Sequence, residues 1–151
     1  MREHPDHHDA ELLLRLYDLR REEKLRQARE WFMGKFQAAT LEEMMEKYPP
    51  GSQENAYQRM TASYWDMAAS VVLHGLINEE FFFENTAEFW IVWQKLKPLA
   101  PAAREAFHNP FYWKQLETLS EKYEKWMAGR APEALEFLRK RLMERASTRK
   151  D

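Results

Sequence analysis

Large apolar side chains recur in this chain every three to four positions almost from end to end, and nowhere do they alternate over a sustained stretch. That spacing places them along one side of an α-helix and offers no strand with a face to bury. Glycine and proline, four and seven in 151 residues, sit as punctuation between the periodic stretches. The expectation is an all-α fold: a single-domain bundle of six to seven helices with an aromatic-rich core.

The first helix is expected over residues 9–37, with Leu13, Tyr17, Leu25, Ala28, Phe32 and Phe36 on one broad apolar face. Thr40 followed by Glu43 has the spacing of a capping box, which predicts a short helix over 41–47. Pro49 and Pro50 end it, since neither supplies a backbone donor. Ser52 caps a helix over 53–73, closed by Gly75 as a left-handed C-terminal residue. Asn78 opens the next, with Ile77 and Phe82 placed as a hydrophobic staple, and the pattern runs to Pro98 with a possible break near Asn85 and Thr86. Pro101 starts a short turn. Asn109 and Pro110 read as a cap followed by proline at the first helical position. Tyr112, Leu116, Leu119, Tyr123, Trp126 and Met127 then form the cleanest stripe of all, and Pro132 opens the last helix. Residues 1–8 are expected as a flexible lead, 9–146 as the helical domain and 147–151 as a basic tail.

Composition narrows the function classes. Nine Phe, six Trp and six Tyr are enough to build a core and exclude global disorder. With no cysteine, thiolate catalysis, disulfides and cysteine zinc sites are excluded. The best apolar run, 67–78, is too short to cross a bilayer, and the charged start MREHPDHHDAE is no signal peptide. The cytoplasm is therefore the default compartment. The net charge of −2 hides segregation: nine acidic and two basic side chains lie within 41–88, against eight and thirteen within 95–151. The basic run Arg139, Lys140, Arg141, Arg145, Arg149 and Lys150 is either a nucleic-acid patch or the solvated end of a last helix. A pI near 6.2 favours the latter and makes nucleic acid an unlikely partner.

Candidate chemistry is sparse. His4, Asp6, His7, His8 and Asp9 carry metal-binding groups, but on a segment with nothing to fix their geometry. Glu105 and His108 have the Glu-x-x-His spacing of di-metal bundles without the second pair that architecture needs. No cofactor is implied, and no phosphate loop, nucleophile elbow or zinc-protease motif is present. Arg59 and Asp66 lie opposite the apolar stripe of their helix, facing solvent or another layer. His74, Arg104 and Tyr112 are placed at the rim of a possible aromatic-lined pocket, Arg104 being suited to stack on Trp or clamp a carboxylate. In the first helix Leu12, Leu16 and Leu19 form a second apolar strip with the spacing of a helix-pairing seam. It serves either a homodimer or other protein contact, or a sandwich between two helices of the same fold.

The segments Ala28-Arg29-Glu30-Trp31, Tyr64-Trp65 and 71–78 (VVLHGLIN), with Trp90, Trp93, Pro98, Arg104, Phe111-Tyr112-Trp113 and Leu116, resemble bacterial helical domains of unknown function. Some relatives in that family carry N-terminal membrane segments, which this charged start does not match. The resemblance implies an all-helical fold with no assigned activity, and so supplies no catalytic residues to carry over. The leading reading is a non-enzymatic interaction or regulatory domain, a homodimer or the docking partner of another protein. The alternative is a small-molecule-binding helical protein, enzymatic or not, with an aromatic-lined pocket.

Overall fold

The computed structural model describes residues 4–149, with side chains through 145. The described residues form nine α-helices and no strand. They are α1 (His7–Arg20), α2 (Glu23–Lys35), α3 (Leu41–Lys47), α4 (Gln53–Leu73) and α5 (Glu79–Asn85), then α6 (Glu88–Leu96), α7 (Ala100–Ala106), α8 (Lys114–Arg130) and α9 (Ala134–Arg149). A 3-10 turn, Lys97–Leu99, leads into α7. Lys150, Asp151 and the side chains of 146–149, which include most of the expected basic tail, lie outside the described residues.

The organising element is α4, which packs most extensively against α2 and α8, while α6 touches all three. Ala28 on α2 and Ala62, Ala68 and Ala69 on α4 are buried, and such small residues let helix backbones approach closely. Trp65 and Trp90 fill the space beside them, each almost wholly buried. A second aromatic layer joins α5, α6 and α8. The Phe83 ring stacks on Phe89 at 6.0 Å and meets Tyr123 edge-on at 5.2 Å. Of the three consecutive phenylalanines, Phe82 and Phe83 are buried and Phe81 is only partly so, as one helix face requires.

Several helix ends form as their residues dictate. Gly75, at φ +78°, lets the Gly75 and Leu76 N–H groups turn back to the Val72 and Val71 carbonyls at 2.9 and 3.2 Å, a Schellman closure. Ile77 and Phe82 are both buried across the Asn78 cap, as a staple demands. Others differ. The expected helix over 9–37 is two helices, because the chain turns at Arg21 and the Glu22 carboxylate caps α2 through the Lys24 and Leu25 N–H groups. The stretch 78–96 is divided at Thr86 and Ala87, in line with the break expected near Asn85 and Thr86. These two breaks account for the helices beyond the expected seven. Asn109 and Pro110 do not open a helix: the Asn109 side chain accepts from Phe111 N–H at 3.0 Å in a local turn, and α8 starts only at Lys114.

Helix ends in this protein are repeatedly finished by a side chain from another helix. A helix leaves its first N–H and last C=O groups without partners of its own. The Lys95 ammonium of α6 donates to the carbonyls of Phe32, Met33 and Phe36 at 3.0–3.1 Å, closing the end of α2. Arg29 of α2 donates to the last carbonyl of α1, Arg20, at 3.1 Å. The same guanidinium grips Glu88 of α6 with two bonds of 2.7 and 2.9 Å, and Glu88 also accepts from the Trp65 indole at 2.8 Å. One carboxylate thereby ties α2, α4 and α6 together.

Asp9, fully buried, bridges in the same way. It accepts from Asp6 N–H at 2.9 Å within the α1 capping box and from Asn78 N–H at 2.6 Å just ahead of α5, with the His4 ring at 3.1 Å. Burial works against its charge, but these N–H groups and His4 outweigh it and hold the carboxyl well below the usual range.

Candidate functional site

The residues singled out from sequence divide sharply. His74 caps α4, is exposed, and spends Nδ1 on the Ser70 carbonyl of its own helix at 2.8 Å. Arg104 and Tyr112 are brought together: Arg104 Nε donates to the Tyr112 carbonyl at 2.8 Å, while Nη2 reaches Glu117 at 3.4 Å. Its guanidinium lies 6.0 Å from the Trp93 ring, so stacking and carboxylate contact are both realised, within the fold.

Of the leucine strip, Leu16 turns inward, 7% exposed, and its carbonyl accepts from the Tyr64 hydroxyl. Burial, with Glu88 adding to it, pushes that phenol up to about 12. Leu12 and Leu19 stay at the surface, 38% and 47% exposed. Asp6 and Asp9 serve α1 and α5 as described, and among the described residues no group of three or more His, Asp or Glu is arranged to hold a metal ion. His108 ends the α7 turn at φ 52°.

An open cleft of about 620 Å³ lies between α4 and the 109–115 segment. Its α4 side carries Gln58, Arg59 and Asp66, and its other side Phe111, Tyr112 and Trp113. Trp113 adopts the left-handed conformation, φ 60°, as the residue just ahead of α8, a conformation costly for a bulky side chain. Trp113 provides no side-chain cap. Asp66 supplies it from across the cleft, accepting from Leu116 N–H at 3.0 Å. Burial raises the Asp66 carboxyl above its ordinary value, and the Leu116 N–H and Arg104 offset this only in part. Burial likewise raises Tyr112, with the Asp66 charge adding to the shift and Arg59 opposing it.

Two donors in this cleft lack matching acceptors. Gln58 is 3% exposed, and its amide nitrogen has no hydrogen-bond partner among the described residues. Arg59 uses Nε on Asn55 at 3.0 Å, which leaves its terminal nitrogens at the exposed edge of the cleft. Almost every buried donor in a folded protein finds an acceptor, so the Gln58 amide stands out as a donor that the described residues leave unmatched. Gln58 was not among the residues singled out. The available signal is its register, three residues before Thr61 and seven before Trp65, which sets an amide within a buried stripe.

A family model described as a domain of unknown function (DUF4760) matches residues 5–126. The chain belongs to that family. Both walls of the cleft fall within the DUF4760 match, as do the Arg29–Glu88 and Asp9 junctions, whereas α9 lies beyond it. No curated protein and no solved structure matches the chain. Among the described residues no helix is long and apolar enough to cross a membrane.

Proposed function

We propose that this domain is a receptor for a small organic anion with a flat, apolar body, held without covalent chemistry between α4 and the start of α8. The carrying observation is the buried Gln58 amide without an acceptor, beside the Arg59 guanidinium. A carboxylate or phosphate would take both donors, and the rings of Phe111, Tyr112 and Trp113 would flank the body. The lining residues include no histidine, so the cleft offers positioning groups rather than an acid–base pair near neutrality. The test is calorimetric titration of a panel of aromatic carboxylates and phosphates against the wild type and Gln58→Leu. The variant removes an unpaired donor and should fold with unchanged or slightly higher stability, yet bind at least about tenfold more weakly. Absence of binding across the panel, or loss of stability in Gln58→Leu, overturns the reading.

A second reading, self-association through α1, is favoured by the exposure of Leu12 and Leu19. In an antiparallel two-fold pairing, Leu12 of one copy meets Leu19 of the other, a self-complementary arrangement. The double variant Leu12→Glu, Leu19→Glu leaves the buried Leu16 intact and should convert a dimer to a folded monomer in light scattering. A wild type that is already monomeric at high concentration removes the idea.

A further inference from the structure

A second cleft, of about 340 Å³, lies where the end of α2, α6 and α9 converge. Met33, Phe36, Leu142 and Met143 give it an apolar floor, and Lys95, Arg139 and Arg145 bring three cationic side chains to its lining. Among the described residues, no carboxylate lines it. Arg139 is partly committed, donating to Glu124 at 2.8 Å with its guanidinium 5.3 Å from the Trp90 ring. The Lys95 ammonium is seated on the α2 carbonyls, so its charge is fixed beside the floor. Gln94 adds a buried amide nitrogen with no acceptor among the described residues. A mostly apolar cavity with a few convergent donors of one charge sign is the complement of an amphiphilic anion.

We infer that this groove binds a free medium-chain fatty acid, with the alkyl chain on Met33, Phe36 and Met143 and the carboxylate at the Gln94 and arginine end. This is independent of the α4–α8 cleft, with which it shares no lining residue. The experiment titrates octanoate, decanoate and dodecanoate, each below its micelle concentration, into the full chain. Decanol and decyltrimethylammonium serve as neutral and cationic counterparts, and anionic phospholipid vesicles as a membrane arm.

Affinity should rise up to about fourfold per added methylene until the floor is filled. Decanol should bind more weakly and the cation not at all. Met143 is 73% exposed, so Met143→Glu should fold normally while placing a carboxylate in the groove and weakening decanoate at least about tenfold. Met143→Lys should retain binding. Affinity independent of chain length, equal binding of the alcohol, or an unaffected Met143→Glu variant overturns the proposal. So does vesicle binding without binding of the monomeric acids.

Discussion

Replacing Glu88 with alanine is expected to cost about 3–5 kcal/mol, a large part of the roughly 5–15 kcal/mol by which a domain is stable. The loss does not come from the strength of one ion pair. Glu88 and Arg29 are 18% and 14% exposed at their side chains, and deleting the acid leaves a largely buried guanidinium and the Trp65 indole N–H without their acceptor. Breaking one partner of such a pair is costly because the other charge stays behind, desolvated. Urea unfolding followed by circular dichroism should show a lower midpoint with an unchanged slope. Exposed Glu30→Ala on the same helix as Arg29 is the control and should change stability by no more than about 0.5 kcal/mol. The double variant Arg29→Met, Glu88→Leu should lose less than Glu88→Ala alone, since it removes both charges. A Glu88→Ala loss within the control's range would show that the junction is not needed.

The second large effect is at Asp9. Asp9→Ala leaves the Asp6 and Asn78 N–H groups without their acceptor, at about 1–3 kcal/mol for each that stays buried and unpaired. The variant should also change the acid response. The folded-state carboxyl is held below its unfolded value near 4, so its stabilisation is fully present above that value. It is lost as pH falls through the acidic range below. Asp66 acts in the opposite sense: its carboxyl is raised on folding, so it contributes a gain in stability as pH falls through its raised value toward the unfolded one. The difference between wild type and Asp9→Ala cancels Asp66. That difference should shrink as pH falls below the unfolded carboxylate value near 4. A difference that does not vary with pH would mean that the Asp9 charge is not what these N–H groups recognise.

How much of this was legible in the sequence depends on where each partner lies along the chain. The end of α4 was readable, because Gly75, Ile77, Asn78 and Phe82 are close neighbours that supply one another's needs. The break between α1 and α2 was not, since glutamate is an unusual cap and the Arg20 carbonyl is satisfied by Arg29, nine residues on. The start of α8 was misplaced for the same kind of reason: its capping carboxylate, Asp66, comes from fifty residues upstream. In the cleft, Tyr112 was placed by the sequence at a pocket rim and Asp66 facing solvent or another layer, and both line it. His74 was attractive because it is one of few histidines, yet its ring is absorbed by its own helix. The periodicity that revealed the bundle also hid Gln58, because an amide in a buried register reads as an interruption rather than as a donor awaiting its acceptor.

The borrowing of caps between helices bears on how the molecule comes apart. A peptide excised around α8 loses the Asp66 carboxylate that caps its first turn, and one excised around α2 loses the Lys95 ammonium that closes its last. Each piece, removed from the rest, is a poorer helix than the same residues form within the fold. Amide protons in the final turn of α2 and the opening turn of α8 should therefore exchange with solvent only when α6 or α4 also lets go, so that slow exchange is lost across these segments in one concerted step.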